Sequence, residues 1–136
     1  STALCTMGCA VPLAAGHRLG RPDVPVVAVV GDGGLEMVLG ELATVRDLGL
    51  SLAIVVIVDG SLALIEMKQR AGQMPNAGVD LGETDFPAIA RAFGGHGAWA
   101  DDAAALRREA GEAVRRTDRF SLIAVRIGRR AYDGAF

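Results

Sequence analysis

The sequence predicts an α/β domain built on a parallel β-sheet flanked by helices on both faces. Three observations carry that expectation. Two short runs, residues 24–30 ("VPVVAVV") and 52–58 ("LAIVVIV"), are apolar and rich in β-branched side chains, as in strands buried on both sides. Apolar residues then recur at helical spacing between and after the runs, and strand–helix alternation implies parallel pairing through right-handed crossovers. The chain is 51% hydrophobic but only 4% aromatic, so its core is built from Ala, Val, Leu and Ile.

The elements follow in order. Residues 12–19 read as a short helix stopped by Gly20, with "GRPDVP" as a loop before the first strand. Leu35, Val38, Leu39, Leu42 and Val45 share one helical face, and Gly49 closes that helix. After the second strand, residues 62–69 are helical and "AGQMPNAGVDLGET" is a loop of turn residues. Thr84 or Asp85 caps the next helix, with Pro87 in its first turn and Phe86, Ile89, Ala90 and Phe93 on its inner face. "HGAWA" is a short strand, Asp101 or Asp102 opens a charged helix reaching Arg116, and "RFSLIAVRI" is the last strand. Residues 1–128 form one domain, and the tail "GRRAYDGAF", residues 129–136, is expected to be an arm lying on a neighbour.

Composition excludes several classes. A chain of 136 residues holds a single core. Its net charge of −2 comes from intermixed signs, so no basic face recommends nucleic acid as a partner. The apolar runs are far too short to span a bilayer, and no membrane role is expected. The opening "STALCTMGCAVPLAAG" lacks the basic region of a secretory leader and starts inside an apolar pattern, as if a preceding strand and helix were missing. Cys5 and Cys9 have no His or further Cys nearby, which disfavours zinc and suits packed, reduced thiols of a cytoplasmic protein. His17 and His96 read as surface or capping residues, Trp99 as packing, and residues 107–116 as a solvated helix face.

Both apolar runs end in a carboxylate beside glycine, Gly31-Asp32-Gly33 and Asp59-Gly60. Open parallel sheets bind ligands beyond the carboxyl ends of their strands, so neighbouring strands bring the two acids to one point. The glycine turn leads into a helix whose free N–H groups favour phosphate. A dinucleotide site is one reading, but its third glycine falls at position 36, where Glu36 stands. Asp32 also sets a like charge against a pyrophosphate. A divalent cation removes the conflict, because Asp32, Asp59 and a backbone carbonyl near Ser61 then bridge the protein to a diphosphate. The plainer alternative makes Asp32 a turn residue and Asp59 a strand terminator, each satisfied by local N–H groups. Two acids one strand apart favour the metal–diphosphate site.

The stretch from Gly31 to Ser61 resembles the pyrophosphate-binding domain of thiamine diphosphate enzymes. That motif is GDG followed, after a spacer like the 25 residues between Gly33 and Asp59 here, by Asn-Asn or a variant. The likeness to acetolactate synthases and their relatives extends through "LCTMGCAVPLAAG", "GELATVRDLGL", "LALIEMKQ", "AGVDLGETDFPAIARAFGGHG" and "RFSLIAVRIGRR", nearly the whole chain.

By that resemblance Asp32, Asp59 and the Ser61 carbonyl ligate Mg2+. Backbone at Gly31, Gly33 and Gly34 holds the diphosphate, and Leu62 borders the cofactor. Met7 is the apolar wedge that bends thiamine diphosphate, bringing its aminopyrimidine amino group to the thiazolium C2; backbone near Cys5 contacts that amino group. Val58-Asp59 replaces the Asn pair, and Asp59 still suits a hard cation. Ile65 stands where aldehyde-releasing decarboxylases carry a Glu, one residue before Glu66, which tilts the reading toward carboligation. Leu64 and Ile65 are the residues expected nearest the substrate.

The Glu that activates the cofactor belongs, by the same resemblance, to a pyrimidine-binding domain across a dimer interface. No segment here resembles it, so no catalytic residue is expected in this chain. The implied function is the Mg2+/thiamine diphosphate-binding half of a 2-oxo acid decarboxylase or acetolactate-synthase-like carboligase. Such a protein works as a homodimer or higher oligomer on a small 2-oxo acid. A non-catalytic or regulatory module of the same fold is the alternative, with a Rossmann-type oxidoreductase behind it.

Overall fold

The computed structural model describes residues 6–134, so the expectation placed on Cys5 lies outside the described residues. Four strands, β1 (Val27–Gly31), β2 (Ala53–Val58), β3 (His96–Ala100) and β4 (Ser121–Arg126), form one sheet in the order β1-β2-β4-β3. Every pair is parallel, with Gly31 of β1 opposite Ile57 of β2 and Val58 opposite Arg126 of β4. The helices are α1 (Ala10–Gly20), α2 (Asp32–Glu36), α3 (Glu41–Asp47), α4 (Ala63–Ala71), α5 (Phe86–Ala92) and α6 (Ala103–Arg115).

Alternate residues of β2 and β4 face opposite cores, as the pleat demands. Ile54, Val56, Leu122 and Ala124 meet Val11 of α1, Leu35 of α2, Leu42 and Val45 of α3 and Phe86 of α5. Ala53, Val55 and Ile123 meet Ala113 of α6 on the other side. Helices therefore cover both faces, and the parallel α/β class read from alternation holds. No helix among the described residues is long and apolar enough to cross a membrane.

Asp85 caps α5 by accepting from the Ala88 N–H (3.1 Å), and Asp102 caps α6 by accepting from the Ala105 N–H (2.7 Å). In both cases the acid adjacent to the helix wins, because only it reaches the third amide beyond. Trp99 packs against the core, and the Arg126 guanidinium lies 3.6 Å from its ring centre.

Two elements differ from expectation. The first run is not buried on both sides: in β1 Ala28 and Val30 are buried while Val27 and Val29 are exposed. Among the described residues β1 pairs only with β2 and lies at the edge of the sheet, and α6 packs on β2, β3 and β4 instead. The single helix expected after β1 is two, α2 and α3, joined by tight turns. Val38 N donates to Leu35 O and Glu41 N to Val38 O, both at 2.9 Å, so the chain winds through i→i−3 bonds. That tightening keeps Leu35, Leu42 and Val45 wholly buried.

Residues 129–134, the expected arm, turn back over α4 of their own chain. Arg129 and Arg130 donate to Glu66 at 3.0 and 2.8 Å, and Arg70 pairs with Asp133 at 2.7 Å. Glu66 is only 1% exposed, and a carboxylate that deep requires countercharge. The arm supplies it, and Arg130 adopts a left-handed φ of 65° on the way.

Candidate functional site

Parallel strands β1 and β2 end side by side, and the residues that follow them enclose a cavity of about 450 Å3. Its floor is Gly31, Asp32, Gly33 and Gly34, its far side Asp59, Ser61 and Leu62, and its apolar walls Met7, Leu64 and Ile65. Every described residue singled out from the sequence as cofactor-binding, metal-ligating or substrate-facing therefore lines one cavity. Ile57, Ala63 and Tyr132 complete the lining.

Asp32 is nearly buried, at 4% exposure, and joins the two strand ends. Its Oδ1 accepts from the Gly33 N–H (2.8 Å), while its Oδ2 accepts from the N–H groups of Asp59 (3.2 Å) and Gly60 (2.8 Å). Two of those donors lie across the sheet in the loop after β2, so the local-turn reading of Asp32 covers only part of its role. Gly60 holds φ at 68°, a conformation that aims its N–H at Asp32 with no Cβ to obstruct it.

Asp59 faces the same space. Its Oδ1 accepts from the Ser61 N–H at 3.1 Å, and its Oδ2 accepts from the Tyr132 hydroxyl. Burial and then the hydrogen bond to Asp59 raise the Tyr132 phenol well above its ordinary range. Among the described residues neither Asp32 nor Asp59 forms an ion pair with Lys or Arg. The nearby Arg129 and Arg130 are taken by Glu66 and Asp80.

Glu66 itself points away from the cavity, while Ile65 lines it. At position 65 the wall therefore carries an apolar side chain. Hydrogen bonds from Ser61 and Arg130, then from Arg129, hold the Glu66 carboxyl down at about 2 against the opposing effect of burial.

A Cβ at Gly33 would stand 2.7 Å from Leu62 Cδ2 and 3.2 Å from Leu81 Cδ1, so a side chain there would have to displace these two leucines. Glu36, at the place of the third dinucleotide glycine, accepts from the Thr84 hydroxyl at 2.7 Å. No cluster of three His, Cys, Asp or Glu side chains that could hold a metal occurs among the described residues. Two carboxylates, a backbone carbonyl and a ligand's own oxygens are the donor set that remains. That all-oxygen set fits Mg2+, which binds through one or two carboxylates plus phosphate.

The signal for Tyr132 was absent from the sequence, since it sits beyond the last strand in a segment without periodicity. Its place follows from the grip of the arm on Glu66.

A parallel sheet with an acidic, glycine-floored pocket at its carboxyl edge defines a phosphate-binding α/β domain. Residues 1–125 match the profile of the thiamine pyrophosphate enzyme C-terminal TPP-binding domain, and the chain belongs to that family. It is 35% identical over 101 residues to the catabolic acetolactate synthase of Raoultella terrigena, covering 74% of this chain and 18% of that one. It is 33% identical over 97 residues to a putative thiamine pyrophosphate-containing protein of Bacillus subtilis, covering 71% and 17% respectively. Among solved structures it resembles a thiamine diphosphate-dependent 4-hydroxybenzoylformate decarboxylase of Rhodococcus jostii, with a TM-score of 0.83 at 23% identity over 90% of this chain and 23% of the other. That last likeness concerns the fold. The chain thus spans about one-fifth of the length of the relatives it matches, and it corresponds to their cofactor-binding part.

Proposed function

We propose that this chain holds the diphosphate of thiamine diphosphate through Mg2+ and forms one side of the active site of an acetolactate-synthase-like carboligase. The observation that carries the reading is the convergence of Asp32 and Asp59, from two strand ends, on one cavity that Gly31, Gly33 and Gly34 also line. Asp32, Asp59 and the Ser61 carbonyl are the protein's share of the cation shell. The N–H groups of Gly33 and Gly34 face the diphosphate.

Thiamine diphosphate supplies a carbon nucleophile for a 2-oxo acid and a sink for the electrons left when CO2 departs. The chain's residues shape the surroundings of that chemistry. Met7, on the cavity wall, is the wedge that sets the cofactor's bend. Leu64 and Ile65 make the substrate side apolar and offer no proton there, which favours transfer to a carbonyl acceptor over protonation and release of an aldehyde.

The described part of the cavity wall carries no carboxyl group beyond Asp32 and Asp59. The acid that activates the aminopyrimidine comes, on this reading, from a pyrimidine-binding domain or subunit, with the pair assembled as a homodimer or larger oligomer in the cytoplasm.

Calorimetric titration of the chain together with its pyrimidine-binding domain, using thiamine diphosphate with and without Mg2+, tests the reading. Saturable binding that requires the cation is expected, and Asp32→Ala should abolish it. Binding indifferent to Mg2+ would sink the proposal. Mg2+-dependent binding without turnover of any 2-oxo acid would instead identify a regulatory module.

A further inference from the structure

Outside the cavity, the most heavily engaged side chain is Glu66. Its Oε2 accepts from the Ser61 hydroxyl at 2.6 Å and from Arg129 Nε at 3.0 Å, and its Oε1 accepts from Arg130 Nε at 2.8 Å. Arg129 reaches onward through Nη2 to the Asp80 carboxylate. Asp80 in turn pairs with Ser61 through an isolated antiparallel bridge. The bridge is flanked by Leu62 N donating to Val79 O (2.8 Å) and Leu81 N donating to Gly60 O (3.0 Å).

These contacts close a ring: Ser61 to Glu66, Glu66 to Arg129, Arg129 to Asp80, and Asp80 back to Ser61 along the backbone. Ser61 is buried, at 4% exposure, and is clamped on its side chain, its N–H and its strand partner at once. A solvent-exposed loop needs none of this. The ring makes sense where one backbone group of the loop must keep a fixed direction, and groups that orient a ligand from behind matter nearly as much as the ligand itself.

We propose that Glu66 is a positioning residue of the cation loop, acting through Ser61, and that Arg129 of the C-terminal arm belongs to the same frame. Arm docking and cation affinity are thereby linked: releasing Arg129 removes one of the two arm arginines that hold Glu66 and the tie from Glu66 to Asp80, and so loosens the frame around Ser61. The inference rests on the Mg2+ role proposed above and assigns to the arm a part in the cofactor site.

Mn2+ binding, followed by paramagnetic resonance in the full-length protein with thiamine diphosphate present, tests it on Ser61→Ala, Arg129→Met and Glu66→Gln. Ser61→Ala keeps the backbone carbonyl and removes only the hydroxyl that Glu66 holds. Each variant should weaken Mn2+ by about tenfold or more, while affinity for the cofactor at saturating Mn2+ stays at the wild-type value. Ser61→Ala combined with Glu66→Gln should be no worse than the poorer single variant, because both remove one interaction. Unaltered Mn2+ affinity in folded Ser61→Ala, with the wild type binding normally, overturns this inference alone. Additive losses in the double variant overturn it as well. A wild-type protein that takes up no Mn2+ with the cofactor overturns the cation reading and this inference together. Should Glu66→Gln fail to fold, Ser61→Ala and Arg129→Met decide the matter by themselves.

Discussion

Asp32 and Asp59 are equivalent in the proposed chemistry and unequal in the fold, and that inequality is open to measurement. Asp32 accepts three backbone N–H groups, two of them from the loop after the neighbouring strand. Asp59 accepts one backbone N–H and the Tyr132 hydroxyl. Asp32→Ala leaves three donors at the buried junction without a partner, at about 1 kcal/mol each at the low end of the usual cost. The expected loss is therefore about 3 kcal/mol, against about 1 kcal/mol for Asp59→Ala, whose loop is more open to water. Either change relieves the same repulsion between the two acids, so the difference between the variants is insensitive to it. For a chain of this length that difference corresponds to a gap of roughly 6–10 °C in unfolding midpoint. Thermal unfolding by circular dichroism without cation measures it, and titration with Mg2+ and thiamine diphosphate then shows binding abolished in both. Equal melting temperatures for the two variants would refute the view of Asp32 as the bracket between strand ends. Mg2+-dependent binding that survives Asp59→Ala would remove Asp59 from the cation shell.

Three further outcomes are expected. Tyr132→Phe removes the hydroxyl that donates to Asp59, so the Mg2+ concentration for half-saturation should fall roughly threefold; a rise would mean the phenol supports the cation instead of competing with it. Gly33→Ala forces a methyl group to within 2.7 Å of Leu62 Cδ2. It should cost about 1 kcal/mol of stability, the low end of the overpacking range because the end of the Leu62 side chain can shift, and weaken cofactor binding, both read from melting curves with and without the cofactor. Ile65→Glu places a carboxyl group on the cavity wall. On the carboligase reading it should shift products from carboligated acid toward free aldehyde, measured by product analysis with a 2-oxo acid substrate; an unchanged ratio counts against Ile65 as the determinant.

Much of this architecture was legible in residue order alone. Two apolar runs, each ending in an acid beside glycine, place Asp32 and Asp59 at strand ends, and alternation with helices makes those strands parallel; that they are neighbours is a fact of the sheet order. Their carboxyl ends then share one rim by geometry, which is why Gly31 to Gly34, Asp59, Ser61, Leu64 and Ile65 are found around one cavity. A strand's two faces are harder to read: an unbroken apolar run looks buried on both sides, yet β1 lies at the edge and exposes Val27 and Val29. The burial of that face depends on whether a helix lies over it, a fact of the whole sheet and not of the run.

Glu66 shows where local pattern ends. In sequence it is one acid in the first turn of an amphipathic helix, indistinguishable from a solvated residue. In the fold it is buried, and burial of a charge dictates its surroundings: two arginines from beyond the last strand and a serine from the cation loop. Those contacts span 63 and 64 residues, a separation at which no periodicity carries information. The sequence by itself determined the parallel strands, the glycine floor and the paired carboxylates, because each rests on neighbours along the chain or on the regular geometry of a sheet. Tertiary structure decided where the arm goes and what holds Ser61, because a buried carboxylate is neutralised by whichever cations the fold brings to it.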